Sequence, residues 1–92
     1  MTVQVAKIGD YVTGKLVGKN DCRQGVLIRT IGTSSVLIRG ESGDYICDSS
    51  VCIVPDKNII LKTTMEHVKR VRDVIMSSEY DPSKEYVHRL LD

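Results

Sequence analysis

The chain has no tryptophan and no phenylalanine, and its only aromatic residues are Tyr11, Tyr45, Tyr80 and Tyr86. Valine, isoleucine and leucine must therefore fill the interior, and the first two are stiff, β-branched residues that favour strands. Three cysteines, Cys22, Cys47 and Cys52, leave an odd thiol, which argues against a disulfide framework. No stretch approaches the ~18 apolar residues of a membrane span, and the first residues lack the apolar core of a secretory signal. A cytoplasmic protein with no membrane association is expected. Strong charge of either sign is also missing, because 13 Lys and Arg meet 12 Asp and Glu for a formal charge of +1. That is not the strongly basic balance of a typical nucleic-acid binder. The glycines have neither P-loop nor dinucleotide-fingerprint spacing.

What is present fits one small domain of 92 residues, a length that buries only roughly 60–65% of its unfolded surface in a single core. The region from Ile8 to Pro55 reads as short strands punctuated by glycine and small polar residues: Tyr11–Val17, Gly25–Ile31, Ser35–Arg39, Asp44–Cys47 and Val51–Val54. Gly14, inside the first of these, marks a bend or a close backbone approach. Gly18 to Gln24 reads as a polar loop, and Gly32-Thr33-Ser34 and Gly40-Glu41-Ser42-Gly43 as turns. Alternation puts Val26 and Ile28 on one face with Leu27 and Arg29 on the other, and Val36 and Ile38 repeat the inward pair. Pro55 ends the last strand by removing a ladder donor.

The remainder reads as helical. Ile59-Ile60-Leu61 is a brief extra strand or an apolar staple ahead of a helix from about Thr64 to Met76. Thr63 and Glu66 have capping-box spacing, and Met65, Val68, Val71 and Ile75 fall on one apolar face. Asp81-Pro82 opens a second helix as N-cap and first helical residue. The expected architecture is mostly β with C-terminal α: a five-stranded SH3-like barrel over residues 1–55, followed by two short helices in an extension over residues 56–92.

The SH3-like reading rests on a resemblance. Ile8-Gly9-Asp10-Tyr11-Val12, Gly25-Val26-Leu27-Ile28 and Val36-Leu37-Ile38-Arg39-Gly40, closed by Asp48-Ser49-Ser50-Val51-Cys52-Ile53-Val54, resemble small barrels of the KOW or Tudor type over about half of the chain. The resemblance implies an SH3-like fold and binding of RNA, DNA or protein, often within transcription or translation machinery. The aromatic cage of methyl-lysine readers does not carry over, since only Tyr11 and Tyr45 fall in the barrel. A compact chain with an appended helix also looks like the small accessory proteins of tailed phages.

No catalytic constellation stands out, so an enzyme is not expected. Cys47 and Cys52 lack zinc-ligand spacing, and neither His67 nor His88 supplies it, so no metal and no cofactor is expected. The cysteines fit as small apolar strand residues, with Cys22 in the polar loop beside Lys19 and Arg23, and the histidines as exposed helix residues. Binding groups are sought among the cations. Arg29 and Arg39 occupy matching points on adjacent expected strands, facing away from the Val/Ile core, and with Lys15 form a basic stripe suited to phosphate contact. Lys19 and Arg23 add charge from the neighbouring loop. Lys69, Arg70 and Arg72, near Lys62, form a second cluster, and the tail is split: residues 62–72 carry a net +3 and residues 73–92 a net −3. The expectation is a non-enzymatic module that binds nucleic acid through Lys15, Lys19, Arg23, Arg29 and Arg39, supported by Lys69, Arg70 and Arg72. The alternative is a protein–protein adaptor or inhibitor, with a homodimer formed when the acidic half of one tail meets the basic half of another.

Overall fold

The runs Val26-Leu27-Ile28 and Val36-Leu37-Ile38 are buried at every position. A strand with one solvated face alternates buried and exposed residues, so an unbroken buried run needs cover on both faces. In the computed structural model, which describes residues 5–77, two different covers are supplied. One is the sheet itself, and the other is a helix.

Five antiparallel strands make the sheet: β1 (Tyr11–Lys15), β2 (Cys22–Ile31), β3 (Ser35–Gly40), β4 (Gly43–Asp48) and β5 (Cys52–Ile53). Their spatial order is β4-β3-β2-β1-β5. A 3-10 turn at Asp56–Asn58 and one helix, α1 (Lys62–Ile75), complete the described chain. The fold is thus mostly β with a C-terminal helix. The helix expected after Asp81-Pro82, with His88, lies outside the described residues.

The sheet is not a closed ladder, and β4 and β5 are its edges. It curls strongly nonetheless. Residues from all five strands meet in one inner cluster built on Val12, Leu27, Val36, Ile38 and Cys47, with Tyr45, Val51 and Ile53 packed against it. Just past the end of β1, Leu16 bridges to Cys47 of β4. Gly14 permits this approach, because a Cβ there would stand 2.8 Å from Cys47 Cβ. Of the bend or close approach that a glycine here predicts, the structure shows the close approach.

The register between β2 and β3 corrects the expected faces. Leu27 pairs with Ile38, but Arg29 pairs with Leu37, so Ile28 is an extra residue in the ladder. Such a bulge breaks the two-residue alternation. Val26 and Ile28 consequently belong to a second cluster with Tyr11, Leu37, Val68 and Val71, on the helix face. They lie on the opposite side of the sheet from Val36 and Ile38, not on a shared inward face. β2 also begins earlier than expected, at Cys22, which shortens the preceding loop.

α1 closes the helix face with Thr64, Val68 and Val71, which are buried, and with half-buried Ile75. The spacing of the expected apolar face holds from Val68 onward. Its start does not. The residue preceding the helix is Leu61, no side chain caps the first turn, and that turn holds a lysine in place of an acid. The Thr63–Glu66 capping box does not form. Thr64 instead hydrogen-bonds Glu41 Oε2 at 3.0 Å, and His67 Nε2 meets the Arg39 carbonyl at 3.0 Å. His67 is therefore a half-buried anchor and not the exposed helix residue expected.

At the other end, Arg72 clamps three segments together. Its Nε donates to the Gly9 carbonyl at 2.8 Å. Its Nη1 and Nη2 donate to the two Asp56 oxygens at 2.7 and 2.9 Å. The guanidinium holds the Asp56 carboxyl below its ordinary range, with partial burial opposing this. A carboxyl depressed in the folded state stabilises the fold above its unfolded value, about 4, and that contribution is lost as pH falls through the folded value. Arg72→Ala is expected to lower the unfolding free energy by about 1–2 kcal/mol, since the pair is partly exposed. The melting-temperature gap between the native chain and Asp56→Asn is expected to shrink as pH falls from about 6 to about 3. Circular-dichroism melts across that range check both, and a gap independent of pH would count against the clamp.

Candidate functional site

The eight cations picked out by the sequence separate into three regions. Lys15, Lys19 and Arg23 are brought together on the β1–β2 hairpin, where the two lysines are exposed. Arg23 is partly tied down there, with its guanidinium carbon 5.6 Å from the centre of the Tyr45 ring and Asp21 4.0 Å away. Arg29 lies seven residues along β2 from Cys22, the partner of Lys15. That separation is roughly 20 Å along a strand, so Lys15 and Arg29 do not adjoin. Lys69 and Arg70 are exposed on α1 away from its packed face, whereas Arg72 turns inward to the clamp.

Arg29 and Arg39 are not at matching points. The bulge pairs Arg29 with Leu37 and sets Arg39 opposite Val26. Arg39 is also engaged within the domain. Its Nε and Nη2 donate to the two carboxylate oxygens of Asp44 at 3.0 and 3.2 Å. The side chains of this pair are 19% and 6% exposed. Reversing one charge of a buried, bidentate pair leaves the other uncompensated, a loss of about 3 kcal/mol or more.

A cleft of about 410 Å³ opens on the helix face between β1, β2, the segment after the 3-10 turn and the start of α1. This lies near the lower end of ligand pockets, which run roughly 300–1,000 Å³. Val54, Ile59, Ile60 and Leu61 wall it with apolar surface, and Tyr11, Gln24, Glu41, Asn58 and Thr64 supply polar groups. Ile59 packs onto the helix-face cluster. Ile60 and Leu61 do not, at 95% and 67% exposed. The reason is local. Pro55 ends the strand region and Ile59, just after the 3-10 turn, is extended; its side chain reaches the core while Ile60 and Leu61 stay at the cleft rim.

The polar side of the cleft is organised around Tyr11, which is 6% exposed. Its hydroxyl lies 3.4 Å from Gln24 Oε1, and Gln24 Nε2 donates to Thr13 Oγ1 at 3.1 Å. Burial, and then the charge of Glu41, push the Tyr11 hydroxyl above its usual value. It stays protonated at neutral pH. The cleft therefore presents a neutral phenol, two carboxamides, a hydroxyl and one carboxylate beside an apolar wall.

Sequence reasoning did not find this site. Three consecutive apolar residues after a proline were a usable signal, but they read as a strand or staple. Nothing in Gly40-Glu41-Ser42-Gly43 distinguishes Glu41 from any turn residue. The cysteines separate in environment. Cys47 is buried and its thiol is pushed up by burial and by Asp48, while Cys52 is exposed and Cys22 is exposed at the start of β2, not in a loop.

No family model, curated protein or solved structure matches the chain. Among the described residues no helix is long and apolar enough to cross a membrane. The contrast among the cations is testable: Arg39→Glu is expected to destabilise the domain by about 3 kcal/mol, and Lys19→Glu by less than about 0.5 kcal/mol. Equilibrium urea denaturation compares the two, and equal effects would contradict the buried pairing.

Proposed function

We propose that this chain is a non-enzymatic binding module that takes a linear segment of a partner protein in the cleft beside Tyr11. The observation carrying this reading is the pair Ile60 and Leu61, two large apolar side chains left in solvent at the rim of a cleft whose other side is polar. Apolar surface grouped at a concave, partly polar site is typical of ligand and protein contact. The curl of the sheet and the Leu16–Cys47 bridge support reading the domain as a small SH3-like barrel. Its free thiols suit a reducing compartment, and on that ground we assign it to the cytoplasm.

The second reading is nucleic-acid binding, RNA or DNA. It is favoured by the exposed Lys15 and Lys19 on one hairpin and by exposed Lys69 and Arg70 on α1. Arg39 and Arg72 contribute less to it, because each holds an acid within the domain.

Panning a random dodecapeptide display library against the intact protein separates the two. Peptides are expected to enrich on the native chain and to be lost on an Ile60→Ser/Leu61→Ser variant, which removes only exposed apolar surface and keeps the melting temperature. Binding of labelled single- and double-stranded DNA and RNA is measured alongside at low and moderate salt. Failure of any peptide to enrich, with nucleic-acid affinity that falls steeply with salt and with Lys15→Glu/Lys19→Glu, would overturn the first reading in favour of the second.

A further inference from the structure

Among the described residues, Glu41 is the one charged side chain lining the cleft. Among the described residues its carboxylate accepts a hydrogen bond from Thr64 and has no cationic partner. Two other acids among the described residues hold cations: Asp44 holds Arg39, and Asp56 holds Arg72. Glu41 faces a buried phenol whose proton is retained and a wall of exposed aliphatic carbon at Ile60 and Leu61.

We infer that the segment bound in this cleft carries a cationic side chain, arginine or lysine, whose head group meets the Glu41 carboxylate while its aliphatic stem lies along Ile60 and Leu61. This rests on the protein-binding reading above and names the chemistry of the occupant. The argument is one of complementarity on both parts of the side chain. Lysine and arginine are long apolar stems ending in charge, and they cover hydrophobic surface while holding the charge at a polar group. An aliphatic side chain would fit the wall but would strip water from Glu41 without replacing its hydrogen bonds, which is costly. A carboxylate would meet Glu41 as a like charge. Closing the cleft over the stem excludes water and strengthens the ion pair, since Coulomb energy rises as the effective dielectric falls.

The test uses the dodecapeptides recovered on the native protein. The expected result is enrichment of arginine or lysine at one position beside an apolar residue. A synthetic peptide of that sequence should bind Glu41→Gln about tenfold or more weakly than the native chain. Glu41→Gln keeps an acceptor oxygen for Thr64, so the fold is retained. As a second measurement that leaves the protein untouched, replacing the peptide's cation by norleucine should cause a similar loss. Combining both changes should add little further. Peptides that enrich without a cationic position, or whose affinity is indifferent to Glu41→Gln and to norleucine, while still being lost on Ile60→Ser/Leu61→Ser, would overturn this inference and leave the protein-binding reading standing. No enrichment on the native chain would overturn both.

Discussion

The fold depends on a hairpin that is buried on both faces. β2 and β3 each carry three consecutive aliphatic residues with almost no exposure, and fully burying such a side chain contributes about 1.5–3 kcal/mol. Without aromatic bulk, the domain must collect that stabilisation from many small contacts. Each face therefore needs its own cover. The inner face is covered when the sheet curls and Gly14 lets β1 press against Cys47. The other face is covered by Val68 and Val71 of α1. Gly25 is a further requirement of the same hairpin, because a Cβ there would stand 2.7 Å from the Arg39 carbonyl.

Once α1 is needed as a cover, its polar contacts follow. Thr64, His67 and Arg72 fall on the packed side of the helix or at its margin, and each reaches a distant segment: Glu41, the Arg39 carbonyl and the Gly9–Asp56 pair. A helix with an uncapped first turn and a lysine near its positive pole gains little from its own N-terminal end. Tertiary contacts hold it instead, as is general for short helices. The same contacts define the cleft, since Thr64 and Leu61 form its helical side while Tyr11 and Glu41 belong to the sheet.

Much of the fold was legible in the residues. The five strands, the glycine turns, the stop at Pro55 and a helix carrying Val68, Val71 and Ile75 all follow from local spacing and propensity. The faces of β2 were not legible, because the extra residue at Ile28 is a matter of pairing with β3, and alternation alone cannot reveal it. The helix start is not legible for a similar reason. Thr63 and Glu66 satisfy a local pattern, but Thr64 has a better partner in Glu41, 23 residues away. Of the candidate site, only the apolar run at Ile59-Ile60-Leu61 left a trace, and its ambiguity lay in which of the three would be buried.

By itself, then, the sequence determined a small β-rich unit with a following helix, an interior of aliphatic residues, and a near-neutral surface with scattered cations. Only the tertiary structure decided which cations are engaged within the domain and which remain on the surface, and where an acid lies beside exposed apolar carbon. The physical reason is range. Strand and helix formation depend on neighbours a few residues apart, whereas the Arg72–Gly9 contact joins positions 63 apart and the cleft joins β1 to the start of α1. Such contacts have no local signature, because the chain distance between partners is set by the whole path of the backbone and not by the residues at either end.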